Sequence, residues 1–415
     1  MTRVLTVRNA VLDGIPHELR AVDGLITELG AAVEHQPDDA IVDAGGLALT
    51  PGLVNGHGHA AMTLLRGYGD DLPLMEWLET RIWPAEGRLT KDDVYWGTRL
   101  ACLEMIRSGT TRFWDMYWHQ FAVAQAVVDS GMRGTVSQVF LNFPGAPEEA
   151  RPEAAPDGVA RLAEFGPRVT ACLGPHAIYT LPTDVLCGIA ELAAARDLLV
   201  QIHLSETERE VLDCTTEHGC RPVEYLDRIG LLNERLVIAH GVWLDHAELE
   251  LVAERGATIV TNPVSNMKLG VGRAFPYPAA RAAGIPIGLG TDGAASNNSL
   301  DLLADLKVLT LLQKHTHADP KVLPAAEAWA IATGASAPVL GGTPVAVGQP
   351  ADFLLVDHTA VEMAPADLVD GLVYGATGAV VDTVVVDGAV LMHHRRVDGE
   401  AEVRSRATDI ARRIR

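Results

Sequence analysis

The sequence predicts an α/β protein: a (β/α)8 TIM-type barrel beside a small β-sandwich domain built from the N- and C-terminal segments. Three observations carry that expectation. Between residues 51 and 344, eight short apolar strands alternate with helix-like stretches, and such alternation implies parallel strands joined by crossover helices. Residues 1–50 and 345–415 have a different texture, with strands separated by Gly, Asp and Asn turns. Five histidines and an aspartate of the central region fall at C-terminal strand ends, the face on which barrels build active sites.

The first fifty residues read as VLTVRNAVLD, ELRAVDGLITELG and AIVDAGGLALTPGLV, each bounded by turn residues. PADFLLVDHTAVEM and AVVDTVVVDGAVLMHHRRV repeat that pattern near the other end. Chain termini often lie close together, so the two strand-rich ends are expected to pair. The barrel strands end at ALTPGLVNGHGH, TTRFWDMYWH, GTVSQVFLNF, VTACLGPHAIYT, LLVQIHLSET, LVIAHGV, ATIVTNPVSN and IPIGLGTDG. Helical stretches such as DDVYWGTRLACLEMIRSG and TDVLCGIAELAAARD separate them. Residues 144–160, PGAPEEARPEAAPDGVA, read as a long mobile loop after the third strand.

With 415 residues, 48% of them hydrophobic, the chain can bury a large core. Its net charge of −21 repels phosphate backbones and anionic lipid, so no nucleic acid and no membrane partner is expected. The N-terminus reaches charged residues before any apolar run of signal-peptide length, which predicts a soluble cytoplasmic protein. Five cysteines without a CxxC pair suggest neither a disulfide framework nor a cysteine zinc site.

His57 and His59 close the first barrel strand, His176 the fourth, His203 the fifth, His240 the sixth and Asp292 the eighth. One such histidine alone would pass as a hydrogen-bonded loop residue; five at matching positions converge on one mouth. In a straight strand residues i and i+2 face the same side, so His57 and His59 can both point inward, with Gly58 letting the backbone approach a metal closely. A third histidine and an aspartate make a mixed N/O set for one divalent metal ion, Zn2+ or else Fe2+, Mn2+ or Ni2+, with a position left for an activated water. Glu206, three residues after His203, is placed to shuttle a proton, although a carboxylate at a helix N-terminus is also ordinary. Asp292 can serve as both ligand and base.

HGHAAMTLLRG, GPHAIYT, HLSET, AH and TDGAASNNSLD closely resemble the amidohydrolase superfamily and, within it, the methylthioadenosine/S-adenosylhomocysteine deaminase group. The resemblance implies that His57, His59, His203 and Asp292 hold one metal, usually zinc. It gives His240 the attacking water, Glu206 the purine-ring proton, His176 a substrate contact and Glu86 the ribose hydroxyls. From composition alone, Glu86 would read as a surface helix charge. Lys91, in the helix-start sequence LTKDD, is the one lysine between His59 and His203, so a lysine-bridged two-metal centre is not expected.

The sequence departs from the group at Gln138, where a homocysteine-binding arginine is expected; an amide cannot grip a carboxylate as a guanidinium does. Arg151, in the following loop, either compensates or is a solvated charge. The implied reaction is conversion of an adenosine-type nucleoside (adenosine, 5′-deoxyadenosine, 5′-methylthioadenosine or S-adenosylhomocysteine) to its inosine analogue and ammonia. Deamination or hydrolysis of aminodeoxyfutalosine, guanine, a pterin or an s-triazine stays open, as does assembly into a homo-oligomer.

Overall fold

The computed structural model of the chain describes residues 3–72, 74–142 and 148–415. The N-terminal strands are β1 (Val4–Leu12), β2 (Ile15–Val22), β3 (Leu25–Gly30), β4 (Ala40–Asp43) and β5 (Ala48–Pro51). Asp13-Gly14 and Asp23-Gly24 take positive φ at both positions (51° and 78°, 47° and 86°), the turn that matches the twist of a two-residue hairpin. The barrel strands are β6 (Leu53–Asn55), β7 (Thr110–Asp115), β8 (Arg133–Phe140), β9 (Val169–Pro175), β10 (Val200–Leu204), β11 (Leu236–His240), β12 (Thr258–Thr261) and β13 (Ile287–Leu289). The chain closes with β14 (Phe353–Val356), β15 (Val381–Val386) and β16 (Ala389–Met392).

The strand-rich ends combine into one mixed sheet of order β16-β15-β14-β5-β1-β2-β3, with β4 paired to β1. The two ends meet where β14 runs antiparallel to β5, Phe353 opposite Pro51 and Val356 opposite Ala48. Leu5, Val7, Leu19, Leu49, Phe353 and Val385 bury themselves there as a core of their own. The C-terminal helix Glu400–Ile414 reaches back to the barrel, where Arg413 pairs with Asp93 and Arg88 Nη1 donates to the Ile414 carbonyl at 2.8 Å.

β6 to β13 form an all-parallel sheet in sequential order. It curls until the Gly56 N–H donates to the Leu289 carbonyl at 2.8 Å, so first and last strands meet in a nearly closed barrel. Val54, Trp114, Cys172, Val237 and Val260 fill the interior, and Leu340 packs with them, its carbonyl accepting from Trp114 Nε1 at 3.2 Å. With that interior packed, the polar strand ends on the opposite, C-terminal side are free to line a mouth.

The predicted loop at 144–160 is corrected in part. Residues 144–147 lie outside the described residues, but 148–154 form two short 3-10 turns and Ala155–Ala163 is a helix. Val159 and Leu162, three apart, bury one face of that helix against the barrel, and this burial outweighs a Pro- and Glu-rich composition.

Candidate active site

Five barrel strands deliver the predicted residues to one place. His203 lies within β10 and His240 ends β11, while His57, His59, His176 and Asp292 follow their strands within a few residues. The His57 ring lies 5.0 Å from His59, 4.8 Å from His203 and 5.7 Å from His240, centroid to centroid. Strict alternation from Val237, which packs inside the barrel, would send His240 outward with Ile238; its φ of 72° turns it to the mouth. Asp292 has φ 61°. Non-glycine residues in this left-handed region carry strain, which collects at functional sites. A Cβ on Gly58 would meet the Asp292 carbonyl at 3.3 Å, so its small size lets the first and eighth strand ends pack together.

One donor atom each from His57, His59, His203 and Asp292 lies within 4.8 Å of the others. Their other ring nitrogens are already committed. His59 Nδ1 meets the Met116 carbonyl at 2.6 Å, and His203 Nδ1 the His176 carbonyl at 2.7 Å. His57 Nδ1 meets Gln201 Oε1 at 3.2 Å, and Gln201 is oriented by donating from Nε2 to Ser137 and the Asp115 carbonyl. Carbonyl oxygens only accept, so each Nδ1 carries a hydrogen and each Nε2 presents its lone pair inward, the arrangement found behind metal-bound histidines. His57 Nε2 is buried without a hydrogen-bond partner, and the Nε2 atoms of His59 and His203 face each other at 3.2 Å.

Asp292 completes the set. Its Oδ1 lies 3.2 Å from His59 Nε2 and 3.6 Å from His57 Nε2, while Oδ2 accepts from Ser265 and Ser296 at 2.6 and 2.8 Å. Burial would raise the Asp292 carboxyl, but the hydrogen bond and charge of His59 outweigh it and hold it well below the usual range. Burial likewise opposes charge on His59, yet Asp292 raises it to about 9, whereas burial pushes His57 down to about 3. Three inward-facing Nε2 atoms, that of His57 buried without a partner, and one carboxylate oxygen fit a divalent ion.

Above the donors opens a cavity of about 700 Å3, lined by Glu86, Tyr117, His176, Glu206 and His240 among others. Glu206 Oε1 lies 3.9 Å from His240 Nδ1, and burial raises its carboxyl. His240 Nδ1 meets Asn266 Oδ1 at 2.8 Å and lies 3.3 Å from Asn262 Nδ2; the shorter contact takes the Nδ1 hydrogen and leaves Nε2 as an acceptor. Burial pushes His176 down to about 4, so it is a neutral imidazole. Glu86 is buried, not the surface charge that composition suggested; Tyr117 donates to it at 2.7 Å, and burial pushes it up to about 8.

Gln138 does not reach the mouth. It faces outward, accepting from Gln120 Nε2 at 2.9 Å and donating to the Glu149 carbonyl at 2.5 Å, in a separate polar pocket of about 250 Å3. Arg151 is exposed and does not line the cavity. Lys91 pairs with Glu149 at 3.2 Å, away from the metal donors. Gln201, Tyr117 and Asn266 were missed from sequence; Gln201 was legible, since it precedes His203 by two on one strand and so shares its face.

Residues 48–391 match the Amidohydrolase family. The chain belongs to that family. This amidohydrolase is 45% identical over 397 residues to a 5′-deoxyadenosine deaminase of Methanoregula boonei, covering 94% of this chain and 90% of that one. It is 42% identical over 397 residues to 5-methylthioadenosine/S-adenosylhomocysteine deaminase 1 of Archaeoglobus fulgidus, covering 94% and 93%. Among solved structures, an adenosine deaminase of Xanthomonas campestris with bound zinc matches with a TM-score of 0.91 at 33% identity, covering 99% of this chain and 98% of that one. An atrazine chlorohydrolase of Arthrobacter aurescens, at 22% identity and a TM-score of 0.88 over 98% and 100%, shares the fold.

Proposed function

We propose that this amidohydrolase is a metal-dependent hydrolytic deaminase that converts an adenosine-type nucleoside to its inosine analogue and ammonia. The observation that carries the reading is the convergent three-imidazole, one-carboxylate set with Glu206 beside it on the cavity wall. The names of the relatives, at 42–45% identity, support it.

His57, His59, His203 and Asp292 would hold the metal, with zinc first among the candidates because of the zinc-bound relative. When bound, the ion would supply acidified water at neutral pH. His240 Nε2 would orient the attacking water toward C6 of the purine, and Asp292 would take its proton as the C–O bond forms. Glu206, whose carboxyl is raised by burial, delivers a proton to the ring nitrogen next to C6. Asp292 then passes its proton to the amine, the C–N bond breaks, and Glu206 recovers a proton from the C6 hydroxyl. Atoms balance as nucleoside plus water giving the 6-oxo product plus ammonia. His176 and the Glu86–Tyr117 pair hold the substrate, Glu86 at the ribose hydroxyls. Among the described residues lining the cavity there is no lysine or arginine, and Glu217 adds a carboxylate. That lining favours adenosine, 5′-deoxyadenosine and 5′-methylthioadenosine over S-adenosylhomocysteine, whose tail carboxylate finds no cation.

The test is ammonia release from these four nucleosides with metal-replete enzyme, alongside Glu206→Gln. The variant is expected to keep its metal and lose ~10^2-fold or more in turnover. Unchanged turnover sinks the proton-donor assignment, and no release from any of the four sinks the nucleoside reading.

A further inference from the structure

Glu210 stands outside the reaction described above, and its surroundings are unusual for a carboxylate. It lies in the first turn of helix Glu208–His218 and is buried. Its two oxygens accept the backbone N–H groups of Ser205 and Glu206 at 2.8 and 2.9 Å. Ser205 has φ 51°, a left-handed conformation that costs a non-glycine residue about 1 kcal/mol or more and reverses the chain as it leaves β10. That reversal separates His203, aimed at the metal donors, from Glu206, aimed at the cavity. On its far side the turn is tied down by the Trp243 N–H, which donates to the Ser205 carbonyl at 2.8 Å.

A second buried glutamate provides the contrast. Glu248 also accepts two backbone N–H groups, from Val223 and Asp245, each at 3.1 Å, but it is paired with Arg221 at 2.7 Å and does not line the cavity. Among the described residues no lysine or arginine pairs with Glu210. Burying a carboxylate without a cation is expensive unless its hydrogen bonds are well made. The two bonds it does make hold the one turn that aims Glu206.

We infer that Glu210 is a positioning residue for deamination: by clamping the N–H groups of Ser205 and Glu206 it fixes the strained turn that holds the Glu206 carboxyl over the substrate ring. The inference rests on the reading of Glu206 as proton donor. Glu210→Gln keeps the size but offers one N–H an amide NH2 instead of an acceptor, so the turn loses half its clamp.

The experiment is a double-mutant cycle on the metal-loaded full chain, with Glu206→Gln, Glu210→Gln, the pair together and Glu248→Gln as matched control. Glu210→Gln is expected to lower kcat ~10- to 100-fold, the scale of a small misplacement of a catalytic group, with KM and metal content held. Glu248→Gln is expected to lower thermal stability with kcat unchanged. The pair together is expected to be no slower than Glu206→Gln alone, because Glu210 acts through Glu206. A wild-type kcat in Glu210→Gln, an equal kcat loss in Glu248→Gln, or fully multiplicative losses in the pair would each overturn the inference. Wild-type activity in Glu206→Gln instead overturns the proton-donor reading, and the two failures are thereby told apart. Glu210→Asp, which keeps the charge but is too short to reach both N–H groups, carries the same cycle should the amide variant not fold.

Discussion

Two groups of histidine and aspartate in this chain offer the same donor atoms and are built in opposite ways. His57, His59, His203 and Asp292 come from three barrel strands and are buried except for the half-buried His59; Asp382, His393 and His394 come from one hairpin, with His394 exposed. In the mouth, each imidazole spends its Nδ1 hydrogen on an oxygen outside the group. In the hairpin the donors are tied to one another directly or through the neighbouring Thr383 hydroxyl. Asp382 Oδ1 accepts from Thr383, which in turn accepts from His393, and Oδ2 meets His394 Nδ1 at 3.3 Å. What separates a metal site from a polar turn is therefore the outer ring of acceptors and the exclusion of water, more than the inventory of ligands.

The sharpest way to break this comparison is to delete one ligand on each side. His203→Ala is expected to lose stoichiometric metal and at least ~10^3-fold in activity, since the nucleophile goes with the ion. Metal analysis of His394→Ala after gel filtration is expected to match the unaltered protein; loss of an equivalent there would make the hairpin a site. A subtler cut removes only an outer acceptor. Gln201→Leu strips His57 of its Nδ1 partner and is expected to weaken metal affinity ~10- to 100-fold, read by competition with a chelator.

Burial also makes the mouth sensitive to pH. Glu86 is raised from the ordinary 4.5 to about 8, so across that window the folded chain holds a proton that the unfolded chain has released. Stability from this group is present in full below pH 4.5 and is lost as pH rises through about 8. Glu86→Gln is expected to flatten that decline, and parallel melting curves for the two proteins across the window would contradict it. The smallest effect belongs to the hairpin. His394 has φ 48°, so His394→Gly is expected to leave stability level or raise it by up to ~1 kcal/mol.

Much of the site was legible because barrel geometry turns a one-dimensional regularity into a three-dimensional one. A polar residue at the end of each of several parallel strands must reach the same rim. What was not legible depended on side-chain direction and neighbours. Gln138 sits on a barrel strand, yet its side chain points out toward Gln120. Glu86 lies in a segment with no strong apolar period and is buried by contact with Tyr117, 31 positions away. Asn266, which holds His240 from 26 positions away, carries no local signal at all.

The sequence by itself determined the alternation of strands and helices, the pairing of strand-rich ends and the ligand types at the rim. Each follows from periodicity or turn chemistry, which act over a few residues. Only the tertiary structure decided which nitrogen of each histidine faces inward, that Glu86 is buried, and that Ser205, His240 and Asp292 take left-handed backbone. Those outcomes rest on contacts between segments far apart in the chain, where burial and distant hydrogen-bond partners outweigh local preference.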